Sequence, residues 1–274
     1  MSEQTAERRL LSTDLDGTII FDGRVRRADA EAMRRWRRAG HLLVMNTGRS
    51  ITALASALEG SGVDYDYAIL YTGAVLADPA GRVLRARTLP EGLVDEVLEV
   101  VSAEESIKVF CTTLDGDLLL HDTIGSSTEL LTLFTPGTTA DLAGRAVVGI
   151  PLQVRDAAVA GRMEALVARR WGDHLEAVLN QHRDDFFLDL VPAGSSKGAG
   201  LTGLVETVTA PGGAYEGQSL VTYAVGDSWN DMSMHAVADV GVAMEQAPDG
   251  VAAACQRTTP SVAALIDQVL SSRH

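Results

Sequence analysis

Leu10-Leu11-Ser12-Thr13-Asp14-Leu15-Asp16-Gly17-Thr18 is the stretch that decides the fold. Leu10 to Thr13 reads as a short strand, and it runs without a linker into two carboxylates and a glycine. Working outward, Asp29 to Ala39 shows helical spacing, with Ala32, Met33 and Trp36 on one face and Gly40 as the stop. His41 to Met45 reads as a buried strand, Ile51 to Leu58 as a helix, and Tyr67 to Tyr71 as a third strand. Alternating strand and helix is the pattern of a parallel sheet.

The middle of the chain breaks that alternation. Leu93, Val94, Val97, Leu98 and Val101 recur at helical spacing, and Ile107 to Thr113 and Leu118 to His121 read as strands. Asp115-Gly116 between them signals a tight hairpin. Val147 to Val154 reads as a strand, Ala157 to Trp171 as a helix, and Leu175 to Asn180 with Phe186 to Val191 as a second hairpin. Alternation resumes with a helix over Lys197 to Val208, a strand over Leu220 to Val225, a helix near Met232 to Val237, a strand over Val240 to Met244 and a helix over Val262 to Leu270. The expected fold is a doubly wound, Rossmann-like α/β core of parallel strands, residues 1–85 and 193–274, interrupted by an inserted α+β domain over 86–192.

Composition bounds the function. The chain has 274 residues, of which 46% are hydrophobic, enough for a sizeable core. Its net charge is −14, which repels phosphate backbones and anionic lipid and argues against nucleic-acid or membrane partners. Residues 86–192 hold 18 Asp and Glu against 8 Lys and Arg, a net of −10. Cys111 and Cys255 stand far apart and read as buried or free thiols in a reducing compartment. The polar start, Met1-Ser2-Glu3-Gln4, and the lack of a long apolar run lead to an expected cytoplasmic location.

Four segments carry chemistry together: Asp14-Leu15-Asp16-Gly17-Thr18, Asn46-Thr47-Gly48-Arg49, Ser195-Ser196-Lys197-Gly198 and Gly226-Asp227-Ser228-Trp229-Asn230-Asp231. Three follow directly on expected strands, whose carboxyl ends converge on the ligand-binding edge of an open parallel sheet. Clustered carboxylates repel and call for a cation. All-oxygen ligands suit a hard divalent ion, Mg²⁺ first among them. Lys197 is telling because the chain has 21 Arg and one other lysine, Lys108. A compact ammonium on a flexible stem fits a crowded anionic site better than a planar guanidinium.

In this order and spacing, the four segments resemble the motifs of the haloacid dehalogenase superfamily. The insertion resembles the α+β cap of its Cof-type subclass, IIB. The resemblance covers nearly the whole chain, and it implies a Mg²⁺-dependent phosphatase acting on small phosphorylated metabolites through an aspartyl-phosphate. It makes Asp14 the nucleophile and Asp16 the general acid and base. It places the metal at Asp14, Asp16 (through its backbone carbonyl) and Asp227, with Asp231 beside it. Thr47 and Lys197 would bind the phosphoryl oxygens, with Asn230 as their polar neighbour. One departure is visible: the subclass often has Asn-Gly where this chain has Thr72-Gly73.

Plainer readings compete at several positions. Thr47 and Lys197 suit ordinary helix starts, and Ser228-x-x-Asp231 matches a capping box. Leu114-Asp115-Gly116-Asp117 imitates the first motif but reads as a hairpin turn. Arg24, Arg26, Arg27, Arg34, Arg35, Arg37 and Arg38 read as a solvated helix face, and Arg49 fits either a substrate contact or a loop support. Two rival functions share the fold, a phosphomutase and a non-catalytic phosphate-ester-binding protein. The acidity of the insertion speaks against the first, and the completeness of the motifs against the second. Oligomeric state and the individual substrate are not legible.

Overall fold

The computed structural model describes residues 8–125, 134–182 and 185–272, so Met1-Ser2-Glu3-Gln4 lies outside it. The chain opens with β1 (Arg8–Thr13), a small ribbon of β2 (Ile20–Phe21) and β3 (Arg24–Val25), and α1 (Arg27–Arg38). Then come β4 (Leu42–Asn46), α2 (Ile51–Leu58), β5 (Tyr67–Leu70), β6 (Val75–Ala77) and β7 (Val83–Ala86). The middle holds α3 (Leu93–Val101), β8 (Ile107–Thr113), β9 (Gly116–Asp122), β10 (Thr135–Pro136), β11 (Val147–Val154), α4 (Ala157–Trp171), β12 (Leu175–His182) and β13 (Asp185–Pro192). The last stretch holds α5 (Lys197–Thr209), β14 (Leu220–Gly226), α6 (Met232–Val237), β15 (Val240–Met244), α7 (Asp249–Ala254), β16 (Arg257–Thr259) and α8 (Val262–Ser271).

Contacts divide the chain into two units. The first comprises the chain up to Thr47, Ala55–Leu84 and the chain from Ser196 onward; the second comprises Gly48–Leu54 and Arg85–Ser195. In the first unit β1 is central, pairing in parallel with β14 on one side and β4 on the other. The full strand order is β16-β15-β14-β1-β4-β5-β6-β7. β5 runs parallel to β4, and β15 and β16 continue the parallel set beyond β14. The expected all-parallel core is therefore extended at one edge by β6, antiparallel to β5. These edge strands are too short to register as strand patterns in the sequence.

Both faces of β1 are apolar because both are covered. Leu10, Leu42, Val44 and Ala224 pack with Leu201, Leu204 and Val208 of α5 and Met234 of α6. Leu11, Leu43, Met45 and Trp36 are buried too, and the Trp36 indole donates to the Leu42 carbonyl at 2.7 Å. Each fully buried side chain of this size contributes roughly 1.5–3 kcal/mol. The arginine cluster is tied into the same unit. Arg27 pairs with Glu31 at 2.7 Å, Arg37 with Asp66 at 2.7 Å, and Arg26 lies over the Phe21 ring. Arg24 falls in β3 rather than on the helix.

Thr72-Gly73, the departure from the subclass pattern, sits in a left-handed turn after β5. Tyr71 and Thr72 have φ of 50° and 53°, and Gly73 has 92°. A Cβ on Gly73 would fall 1.9 Å from the Ser196 carbonyl oxygen, so glycine is required where this turn passes under the start of α5. Thr72 holds a conformation that asparagine tolerates better than a β-branched residue.

The second unit has its own core. Its sheet order is β10-β9-β8-β11-β13-β12. One face carries Ile107, Val109, Cys111, Ile150, Leu152, Leu188 and Leu190, packed against Leu93, Val97 and Val101 of α3 and Val159, Val167 and Trp171 of α4. Asp156 starts α4 by accepting from the Ala158 and Val159 amides. Cys111 is buried here as a free thiol, pushed up to about 12 chiefly by burial, and Cys255 is also free. No helix among the described residues is long and apolar enough to cross a membrane.

Candidate active site

The sheet order reverses at β1. From there the first half of the chain runs outward through β4 and β5, and the second half runs the other way through β14, β15 and β16. An open α/β sheet has its crevice at such a switch, outside the strand carboxyl ends. Asp14 directly follows β1, Thr47 follows β4 and Asp227 follows β14, so all three leave the sheet at that edge. Lys197 is the first residue of α5, whose start is capped by the Ser196 hydroxyl accepting from the Ala199 amide at 3.0 Å.

The Lys197 side chain is fully buried. Its Nζ donates to Asp14 Oδ1 at 2.6 Å and to Asp231 Oδ1 at 2.6 Å. Burial alone would lower the ammonium pKa, but the two carboxylates outweigh it and hold the charge firmly on. Asp14 is 6% exposed. Burial lifts its carboxyl well above the usual range, Lys197 works against that rise, and Asp231, Asp227 and Asp16 add to it. Asp227 is pushed up to about 6, first by burial and then by Asp231, while the Thr18 hydroxyl and Lys197 pull it down.

This is an anionic cluster short of positive charge. Oxygens of Asp14, Asp227 and Asp231 lie within 4.8 Å of one another. Asp231 serves both its readings: its Oδ2 accepts from the Asp227 and Ser228 amides at 3.0 and 2.9 Å, and its Oδ1 takes Lys197. Both its oxygens thus have protein donors, which leaves Asp14 and Asp227 as the carboxylates with most to offer a cation. Asn230, in the same turn as Asp231, has its Oδ1 buried without a hydrogen-bond partner. All-oxygen donors, raised carboxyl pKa values and an unmatched buried oxygen fit a hard divalent ion.

Of the residues singled out in the sequence, Asp14, Asp16, Asp227, Asp231 and Lys197 act on one another electrostatically. Thr47 is buried, with its amide donating to Ile69 and its carbonyl accepting from Thr72. Arg49 is half-buried and belongs to the second unit.

Three supports had no role assigned from the sequence, although Thr18 and Asn46 stand in the quoted segments. Thr18 donates to Asp227 Oδ1 at 3.2 Å. Asn46 Nδ2 donates to Ser12 Oγ at 3.1 Å and to the Lys197 carbonyl at 3.0 Å, fixing the start of α5 against β1. Gln246 Nε2 donates to the Gly17 carbonyl at 2.6 Å. Gly17 itself was in view: its φ is 80°, and a Cβ there would fall 2.2 Å from Asp227 Oδ2. Gln246 lies 229 positions from its partner and carries no local signal.

The switch point of this Rossmann-like sheet thus holds a lysine-bridged aspartate beside a second aspartate. The chain belongs to the haloacid dehalogenase-like hydrolase family, whose model matches residues 11–265. It is similar to pyridoxal phosphate phosphatase YbhA of Escherichia coli K12, with 29% identity over 94% of this chain and 97% of that one. It is also similar to 5-amino-6-(5-phospho-D-ribitylamino)uracil phosphatase YwtE of Bacillus subtilis 168, with 27% identity over 97% and 99%. Among solved structures, a haloacid dehalogenase-like hydrolase from B. subtilis superposes with a TM-score of 0.76 at 22% identity over 95% and 99% of the two chains. A subclass IIB sugar phosphatase superposes with a TM-score of 0.68 at 18% identity over 95% of each. Family and relatives make the chain a phosphatase-type hydrolase of the Cof kind.

Proposed function

We propose that the chain is a Mg²⁺-dependent phosphatase that releases inorganic phosphate from small phosphomonoesters through an aspartyl-phosphate on Asp14. The observation that carries this reading is the Asp14–Lys197–Asp231 bridge beside Asp227 at the switch point of the sheet. An oxygen of Asp14 forms the bond to phosphorus as the ester oxygen leaves, and Asp16 gives that oxygen its proton. Asp16 then takes a proton from the water that attacks the phosphorus, the bond from Asp14 to phosphorus breaks, the carboxylate is regenerated and phosphate is released. Lys197 keeps Asp14 in place and neutralises charge on the phosphoryl oxygens, with Thr47 and Asn230 as further polar groups. When bound at Asp14, the Asp16 carbonyl and Asp227, Mg²⁺ supplies charge neutralisation for the transferring group.

The substrate class follows from charge and from the relatives. A net of −10 over residues 86–192 disfavours polyanions such as nucleoside triphosphates. The two curated relatives are named for singly phosphorylated metabolites, and a structural neighbour is a sugar phosphatase. Sugar phosphates and similar monoesters fit best.

The test is phosphate release from a panel of phosphorylated metabolites with and without chelator. Excess chelator is expected to silence the enzyme and added Mg²⁺ to restore it; turnover that persists in chelator sinks the metal assignment. Asp16→Asn is expected to slow turnover by on the order of 10²–10⁴-fold. The loss should be smallest for p-nitrophenyl phosphate, whose leaving group needs little proton help. An equal loss on every ester removes Asp16 from the acid role.

A further inference from the structure

What fixes the turn after β1 decides how Asp227 is held. Gly17 packs so closely on the Asp227 carboxylate that a Cβ there would fall 2.2 Å from Oδ2. The Thr18 hydroxyl donates to the other oxygen, Oδ1, at 3.2 Å. Residues 17 and 18 therefore wall one oxygen of Asp227 and hold the other. The peptide between Asp16 and Gly17 carries the Asp16 carbonyl. Inside the turn, the Gly17 amide donates to the Ile20 carbonyl at 3.1 Å. The Gly17 carbonyl takes Gln246 Nε2 at 2.6 Å, a bond from a distant part of the chain.

Gln246 lies in the loop of residues 245–248, between β15 and α7. That loop is anchored itself. The Glu245 amide donates to the Thr259 carbonyl at 2.9 Å, and the Ala247 amide to the Met244 carbonyl at 2.9 Å. β15 pairs in parallel with β14, the strand that leads into Asp227. Just beyond the loop, Gly250 lies against Trp229, where a Cβ would fall 2.5 Å from the indole Cη2. Trp229 stands in the turn between Asp227 and Asp231. The chain after β15 thus reaches the first carboxylate turn by a hydrogen bond and the second by close packing. All of these residues belong to the first unit. The Gln246 side chain is exposed, so it adds little to folding through burial. Its bond acts mainly on where the Gly17 turn sits.

We propose that Gln246 is a positioning residue for the cation site. By holding the Gly17 carbonyl it keeps Gly17 and Thr18 against Asp227, and the Asp16 carbonyl in place, and so sets the affinity for Mg²⁺. The proposal rests on the Mg²⁺ reading of the site and adds a residue that acts through its neighbours. Groups that orient metal ligands from behind tune metal affinity in this way. Loss of Gln246 and loss of the Thr18 hydroxyl relax the same contact, so their effects are coupled.

The experiment titrates Mg²⁺ calorimetrically into the substrate-free full chain as wild type, Gln246→Met, Thr18→Val and the double variant. Gln246→Met keeps the length of the side chain and removes the donor. Its Kd for Mg²⁺ is expected to rise about 10-fold. Thr18→Val should also weaken binding, and the double variant should be no more than about threefold weaker than the weaker single. Urea midpoints of wild type and Gln246→Met, measured in chelator, should coincide. A Kd in Gln246→Met within about twofold of wild type overturns the proposal, since it leaves the hydrogen bond no role in binding. Single penalties that multiply in the double variant, or a Thr18→Val that binds as the wild type does, overturn the route through the turn. A Kd that rises only in step with a fallen midpoint makes Gln246 a general support of the fold and overturns its positioning role. A wild type that binds no Mg²⁺ instead overturns the metal assignment on which the proposal stands.

Discussion

Asp14→Asn is expected to lower phosphate release by on the order of 10⁵-fold or more, the scale seen when a covalent nucleophile is removed. The substitution keeps the side chain's shape, and the Asp14 amide still donates to the Val225 carbonyl at 2.9 Å, so the strand ends stay joined. Loss of activity with an unchanged circular dichroism spectrum therefore reports chemistry rather than unfolding. The wild type, quenched in acid during turnover, should yield a phosphorylated peptide containing Asp14, and the variant should yield none. Activity within tenfold of the wild type would move the nucleophile elsewhere.

Lys197→Met is expected to damage both stability and rate. The ammonium is fully buried and holds Asp14 and Asp231 at 2.6 Å each. Removing one partner of such a bridge leaves uncompensated buried charge, which costs about 3–5 kcal/mol. Urea denaturation near neutral pH, in excess chelator so that no ion substitutes for the lysine, should show that loss. With Mg²⁺ present, kcat should fall by about 10³–10⁵-fold, the scale of removing a cation that neutralises a transferring phosphoryl group. Lys197→Arg should not rescue it, because a planar fork does not fit between two carboxylates arranged around one nitrogen. Wild-type stability in Lys197→Met would mean that the bridge contributes nothing to folding.

The gathering of the carboxylates and Lys197 was legible because their signals are local. Each carboxylate stands at a strand end beside a glycine or a capping pattern, and Lys197 stands out in a chain that otherwise uses arginine. The supports were not legible because their partners are remote: Thr18 reaches Asp227, and Asn46 reaches the Lys197 carbonyl 151 positions away. Asp115-Gly116 predicts a hairpin correctly, but its turn signal drew in the next residue, which the sheet buries. The edge strands β6 and β16 are three residues each, below the length at which alternation can be seen. The arginine run reads as one helix face, although its first member precedes the helix in a two-stranded ribbon.

The position of β1 has a consequence for how the chain is made. Its neighbours on one side come from residues just after it, but β14 is encoded from Leu220 onward, beyond the whole inserted sheet. At roughly 5–20 residues per second, a ribosome needs about 10–40 s to advance from Asp14 to Asp227. During that interval the nascent chain presents an open strand edge and Asp14 without its neighbours. The polypeptide is thus exposed to wrong pairing until about four-fifths of it has been made.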